Sequence, residues 1–195
     1  MTSLPRRLLQ LHLRSRQAPR ALVLIAATAV ALRGCQPWTR GGDMMPRMLA
    51  LLLTVAAAAI IATSSHSPFG EPERVSHPLP RLRLTHVLAL LAVAVAALGL
   101  AHSEDPGMVA RNVAGLTGIA LLTATITGGH LAWTAPLGYV VLCGGAMDLH
   151  EESLWTWPTL AANDHTATFI ALVLLVAGVT AITMAGARDH LHGAP

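Results

Sequence analysis

Six stretches of the chain are nearly free of charge: residues 21–32, 48–63, 84–101, 112–127, 131–147 and 166–184. Between them lie shorter segments in which arginine, carboxylates, histidine, proline and glycine collect. The hydrocarbon core of a bilayer, ~30 Å thick, is crossed by roughly 17–25 helical residues. The six stretches are 12 to 19 residues long, so each predicts a transmembrane helix near the lower limit of length. Flanking residues, tilt or local thinning of the bilayer complete each crossing. The first stretch is the shortest and stops at Arg33, whose long side chain can reach the headgroups. If it lies in the interface instead, five spans remain.

The expected fold is therefore all-α: a polytopic membrane protein of six transmembrane helices, or five if the first segment does not span. Three parts follow: a basic amphipathic segment 1–20, one helical membrane domain 21–186 and a tail 187–195. In the first, Leu4, Leu8 and Leu11 share a helix face, while Arg7 and Arg14 fall on another. That pattern suits a helix lying on the inner membrane surface against anionic lipid, and equally an ordinary basic topology signal.

Composition agrees with the span pattern. Of 195 residues, 53% are apolar and 12% charged, against ~25% charged in soluble domains. Mean hydropathy is +0.56. Aromatic residues make up only 4%, so helices pack through Ala, Leu, Val and Gly. A soluble enzyme, a disordered tail and a disulfide scaffold do not fit these numbers. All 13 cations are arginine, and the net charge of +3 is too small to suggest nucleic acid as a partner.

With the N-terminus inside, Arg6, Arg7, Arg14, Arg16, Arg20, Arg74, Arg81, Arg83 and Arg188 are cytoplasmic, while Arg33, Arg40, Arg47 and Arg111 are external. The excess of inner arginines is expected to place both termini of a six-span chain in the cytoplasm. Leu32-Arg33-Gly34-Cys35 resembles a lipoprotein cleavage site, but Arg33 fits it poorly and five more apolar segments follow. Arg6-Arg7 lacks the surroundings of a twin-arginine signal.

Few positions carry chemistry. The loop 64–83 is rich in proline and holds Phe69, one of two phenylalanines, beside Glu71, Glu73 and Arg74. An aromatic residue among charges suits docking into a partner's pocket; the alternative is a loop folded onto the helix ends. The fourth stretch is the most polar, with Asn112, Thr117, Thr123, Thr125 and Thr127, and Gly115 and Gly118 permit close helix approach. It reads either as a seam lining a pathway or as small-residue packing. Pro136 is expected to kink the fifth helix. Trp155 and Trp157 read as interfacial-belt residues. His150, Glu151, Glu152, Asp164 and His165 have metal-ligand chemistry but no ligand spacing, so no metal or other cofactor is expected. No span carries a charge at its middle, and nucleotide-binding and hydrolase motifs are missing, so the chain is expected not to be an enzyme.

Three strings resemble those of small actinobacterial membrane proteins encoded beside ABC-transporter ATPases: Ser67-Pro68-Phe69-Gly70-Glu71-Pro72-Glu73-Arg74, Arg111-Asn112-Val113-Ala114-Gly115-Leu116-Thr117-Gly118, and Trp155-Thr156-Trp157-Pro158. The order of segments is similar to permeases of the ABC-2 export class, which have six spans, an N-terminal interfacial helix and a coupling helix between the second and third spans. The resemblance implies a permease subunit working as a homo- or heterodimer with a separate ATP-binding subunit. Phe69, Glu71, Glu73 and Arg74 would be the docking contacts, and the fourth and fifth segments, with Thr117, Thr123 and Pro136, the moving wall. The chain departs from that plan in its short spans and proline-rich loop. The other expectation is a membrane scaffold or accessory protein that recruits a partner without transporting anything.

Overall fold

The computed structural model describes residues 18–39, 44–65, 79–101, 105–148 and 154–185. They form six α-helices: α1 (Ala18–Thr39), α2 (Met44–Ser64), α3 (Leu79–Ala101), α4 (Pro106–Thr127), α5 (Thr134–Asp148) and α6 (His165–Ala185). Short 3-10 segments, Gly129–Leu131 and Leu154–Thr159, join the last three, and no strand occurs among the described residues. Segment 1–17, the docking loop residues Phe69, Glu71, Glu73 and Arg74, and the tail lie outside the described residues.

Among the described residues, five helices are long and apolar enough to cross a membrane: α1, α2, α3, α4 and α6. The helix outside that count is not the first, as the sequence suggested, but the fifth; it still carries the chain back across the bundle, because α4 and α6 begin at the same end. α1 runs past Arg33 to Thr39, because an arginine near a helix end continues the helix as readily as leucine does. α5 has 15 described residues, about 22 Å at the helical rise, and residues 149–153, which follow it, lie outside the described ones.

The helices expose large apolar side chains that water would not tolerate together: Val23 and Val30 on α1, Leu88 and Leu100 on α3, Phe169 and Val176 on α6. Soluble monomers rarely leave such surfaces open. With helices of this length, they face lipid. The protein is a multi-pass helical membrane protein.

α4 is the centre of the bundle. Of its candidate span 67% is buried, against 22% to 39% in the others. It packs most extensively on α6, and also on α2, α3 and α5, while α1 packs on α2 and α3. Lipid cannot drive apolar helices together, so close approach of backbones must. Gly118 of α4 and Gly178 of α6 make that approach. A Cβ added at Gly178 would lie 2.8 Å from the Cα of Gly118, and one at Gly118 would lie 2.6 Å from the backbone nitrogen of Leu175.

Hydroxyls in the bundle are mostly satisfied by their own helices. Thr123 donates to the carbonyl of Ile119 (2.8 Å) and Thr127 to that of Thr123 (2.9 Å), the bonds that let threonine enter lipid. Thr117 is fully buried and its Oγ1 has no partner. After α4, Gly128 takes φ 92° and its N–H closes on the carbonyl of Ala124; a side chain at that φ would be strained. Pro136 is buried in the first turn of α5. The N–H groups of a first turn have no partner within the helix, so proline there removes no helical bond and the expected kink has no cause.

Candidate functional site: a strap held by α4

Asp105 and Pro106 start α4. Asp105 accepts a hydrogen bond from the N–H of Met108 at 3.1 Å and proline occupies the first turn, the arrangement in which a carboxylate caps a donor and proline lacks one. This start brings Arg111, assigned above to an external loop, into the second turn of the helix. Its side chain is buried at 5% exposure.

Arg111 is held by carbonyls. Its Nη1 donates to the oxygen of Ala161 and its Nη2 to that of Leu160, both at 2.7 Å, and its Nε to Oδ1 of Asn112 at 3.4 Å. The Nδ2 of Asn112 donates to the carbonyl of Pro158 at 2.9 Å. Hydrogen bonds from a charged donor contribute about 1.5–3 kcal/mol each. The guanidinium makes no ion pair among the described residues. Asp105 and Asp164 act on it through space, but each carboxylate is engaged as a helix cap, Asp164 accepting from the N–H of Ala167 at 2.8 Å.

The carbonyls belong to residues 154–161, which cross the end of the bundle where α4 and α6 begin. α5 holds the same segment from its other side. The hydroxyl of Tyr139 donates to the carbonyl of Trp155, and the thiol of Cys143 lies 3.8 Å from that oxygen. Trp157 is 2% exposed and stacks near Tyr139, centroids 6.4 Å apart. It sits in a notch left by Gly115: a Cβ there would come 2.8 Å from its Cζ2 and 3.1 Å from the Cα of Ala171.

Two strings noted separately in the sequence, Arg111–Gly118 and Trp155–Pro158, are thus one structure. Trp155 is exposed and fits the interfacial reading. Trp157 does not; it is a wedge between helices. The sequence reading missed Arg111 because hydropathy stops a span at a charge, although Asp105-Pro106 marks the true start. It also missed Tyr139.

Gly115, Thr117, Gly118, Thr123 and Pro136 are all buried in the packing, and the first and third make its closest contacts. His150, Glu151 and Glu152 lie outside the described residues. Among the described residues no group of three or more metal-ligand side chains occurs; Asp164 caps α6 and His165 is exposed. At the opposite end, the buried ring of His86 on α3 lies 3.4 Å from the hydroxyl of Ser64 on α2. No family model, curated protein or solved structure matches the chain.

Proposed function

We propose that the chain is the membrane-embedded subunit of an export transporter whose energy comes from a separate ATP-binding subunit. It works as a dimer in a bacterial plasma membrane, both termini cytoplasmic. The supporting observation is the unequal build of the bundle. α4, α6 and the strap form one block, locked by the Gly118–Gly178 approach and by Arg111. α5 packs on α4 less extensively than α6 does, and its Gly138 and Gly145 lie on an exposed face. A transporter needs such a pairing of a rigid part with one that can shift against it. In this reading α5 moves against α4, which stays fixed in the block. The loop carrying Phe69, Glu71, Glu73 and Arg74 receives the ATPase, and arginine asymmetry sets the orientation.

One observation favours the second reading, a scaffold without a pathway: Thr117, Thr123 and Pro136 are packed inside the bundle rather than lining an opening. Reconstitution with the ATPase separates the two. A transporter subunit raises ATP hydrolysis when substrate is added, and a scaffold leaves it flat. Replacing Phe69 and Glu71 with alanine releases the ATPase from membranes if the loop is its dock. Retention at the wild-type level removes that assignment.

A further inference from the structure

Sulfur is distributed unevenly over the bundle. After Met1 the chain carries eight sulfur-bearing residues, and all but Met184 fall on helix segments at the strap end. Two helices bring four of them together. Met48, in the first turns of α2, fills the space left by Gly144 near the end of α5: a Cβ at Gly144 would lie 3.1 Å from its Sδ. Cys143, the neighbour of Gly144, is buried, and its thiol meets the carbonyl of Trp155 at 3.8 Å as a weak donor. Met44 precedes Met48 by four residues and Met147 follows Cys143 by four. Each pair therefore shares a helix face, about 6 Å apart along the axis. α2 starts at this end and α5 finishes there, so positions 48 and 143 lie at one level and positions 44 and 147 a turn further out.

Histidine, cysteine and carboxylate side chains do not gather in threes among the described residues. The thioether is a separate class of ligand, used on soft ions. We propose that Met44, Met48, Cys143 and Met147 bind a soft monovalent ion, copper(I), between α2 and α5. The ligand set makes the selection. Three thioethers are neutral and the thiolate of Cys143 supplies one negative charge, so a monovalent ion leaves no net charge to bury. A divalent ion would leave one positive charge in a low-dielectric place, which is costly. Zinc, moreover, is held by thiolate, imidazole and carboxylate rather than by thioether, and magnesium, calcium and manganese take oxygen ligands. On binding, the ion replaces the thiol proton of Cys143, which passes to solvent, and no electron is transferred. The site is a further activity of the chain and depends neither on transport nor on an ATPase.

The test titrates Cu(I), held reduced with ascorbate, into the full chain in lipid nanodiscs against a coloured Cu(I) chelator, with Zn(II) as comparison. One Cu(I) per chain is expected, with only sulfur scatterers around it in X-ray absorption, and Zn(II) should bind far more weakly. Met48→Leu keeps nearly the same volume against Gly144 and should weaken Cu(I) binding about tenfold or more, since even the outer partners of a metal site are worth about 10–100-fold. Cys143→Ser and the double variant Met44→Leu/Met147→Leu should do the same. Cys35→Ser, on α1 and outside the quartet, should bind as the wild type does. Tryptophan emission confirms that each variant is folded. A folded wild type that holds no Cu(I), or that holds Zn(II) as tightly, would overturn the proposal. So would Cu(I) affinity unchanged in folded Met48→Leu, or lost in Cys35→Ser.

Discussion

Gly118→Ala is the substitution the bundle should tolerate least for its size. The added methyl would lie 2.6 Å from the backbone nitrogen of Leu175 and overlap the carbonyl of Leu174. Ordinary carbon contacts are about 3.5–4.0 Å, so α4 and α6 must separate by roughly 1 Å. No rotamer relieves the overlap, because the atoms met are main chain. Overpacking costs 1–3 kcal/mol, and a backbone clash at the tightest crossing belongs at the upper end, about 3 kcal/mol. For a chain of this size that lowers the melting temperature by about 6–12 °C. Cys143 is buried and supplies the reporter: in a Cys35→Ser background, a thiol-reactive dye reads its exposure as the detergent-solubilised protein is heated. Gly138→Ala is the control, since nothing lies within 4 Å of its Cβ and alanine is the better helix former by about 1 kcal/mol. A wild-type melting temperature for Gly118→Ala, or an equal loss in Gly138→Ala, would refute the claim that backbone approach holds α4 to α6.

Gly115→Ala should expel Trp157 from its notch; a red shift in tryptophan emission reports this, and unchanged emission would place the indole elsewhere. Tyr139→Phe removes one bond to the strap and should cost about 1 kcal/mol, read by denaturant titration in mixed micelles. Asp105→Ala should cost about 1 kcal/mol through the lost cap on α4, whereas Asp105→Asn, which can still accept from Met108, should retain most of it. Equal losses in those two would make the charge, not the cap, the source of the effect.

The long apolar runs were legible in the sequence because lipid demands them. The stretch 84–101 lies inside α3, which starts five residues earlier, and 166–184 became α6 within a residue at each end. Misjudged ends fell where charge and helix disagree. Arg33 and Arg111 each terminated a hydropathy run, yet both lie inside helices. A cap signal, Asp105-Pro106, was present to correct the second. The glycines at 115 and 118 announced close packing but not their partners. That Gly118 meets Gly178, and that Gly115 receives Trp157 rather than a helix alone, depends on the return of residues 154–161 across the bundle. Nothing local encodes this: the oxygens that Arg111 grips are backbone carbonyls, which every residue carries and no pattern of side chains distinguishes.

The central claim is a lipid-embedded bundle with α4 at its middle, and oxygen accessibility of spin labels scanned along α4 and α6 in bilayers tests it most directly. Labels on α6 should alternate with helical period, high at Phe169 and Val176 and low at Ala171 and Gly178, whereas Asn112, Val113, Leu116 and Leu121, spread around α4, should all stay low. A strong helical alternation along α4, or uniformly low oxygen contact on α6, would contradict the account.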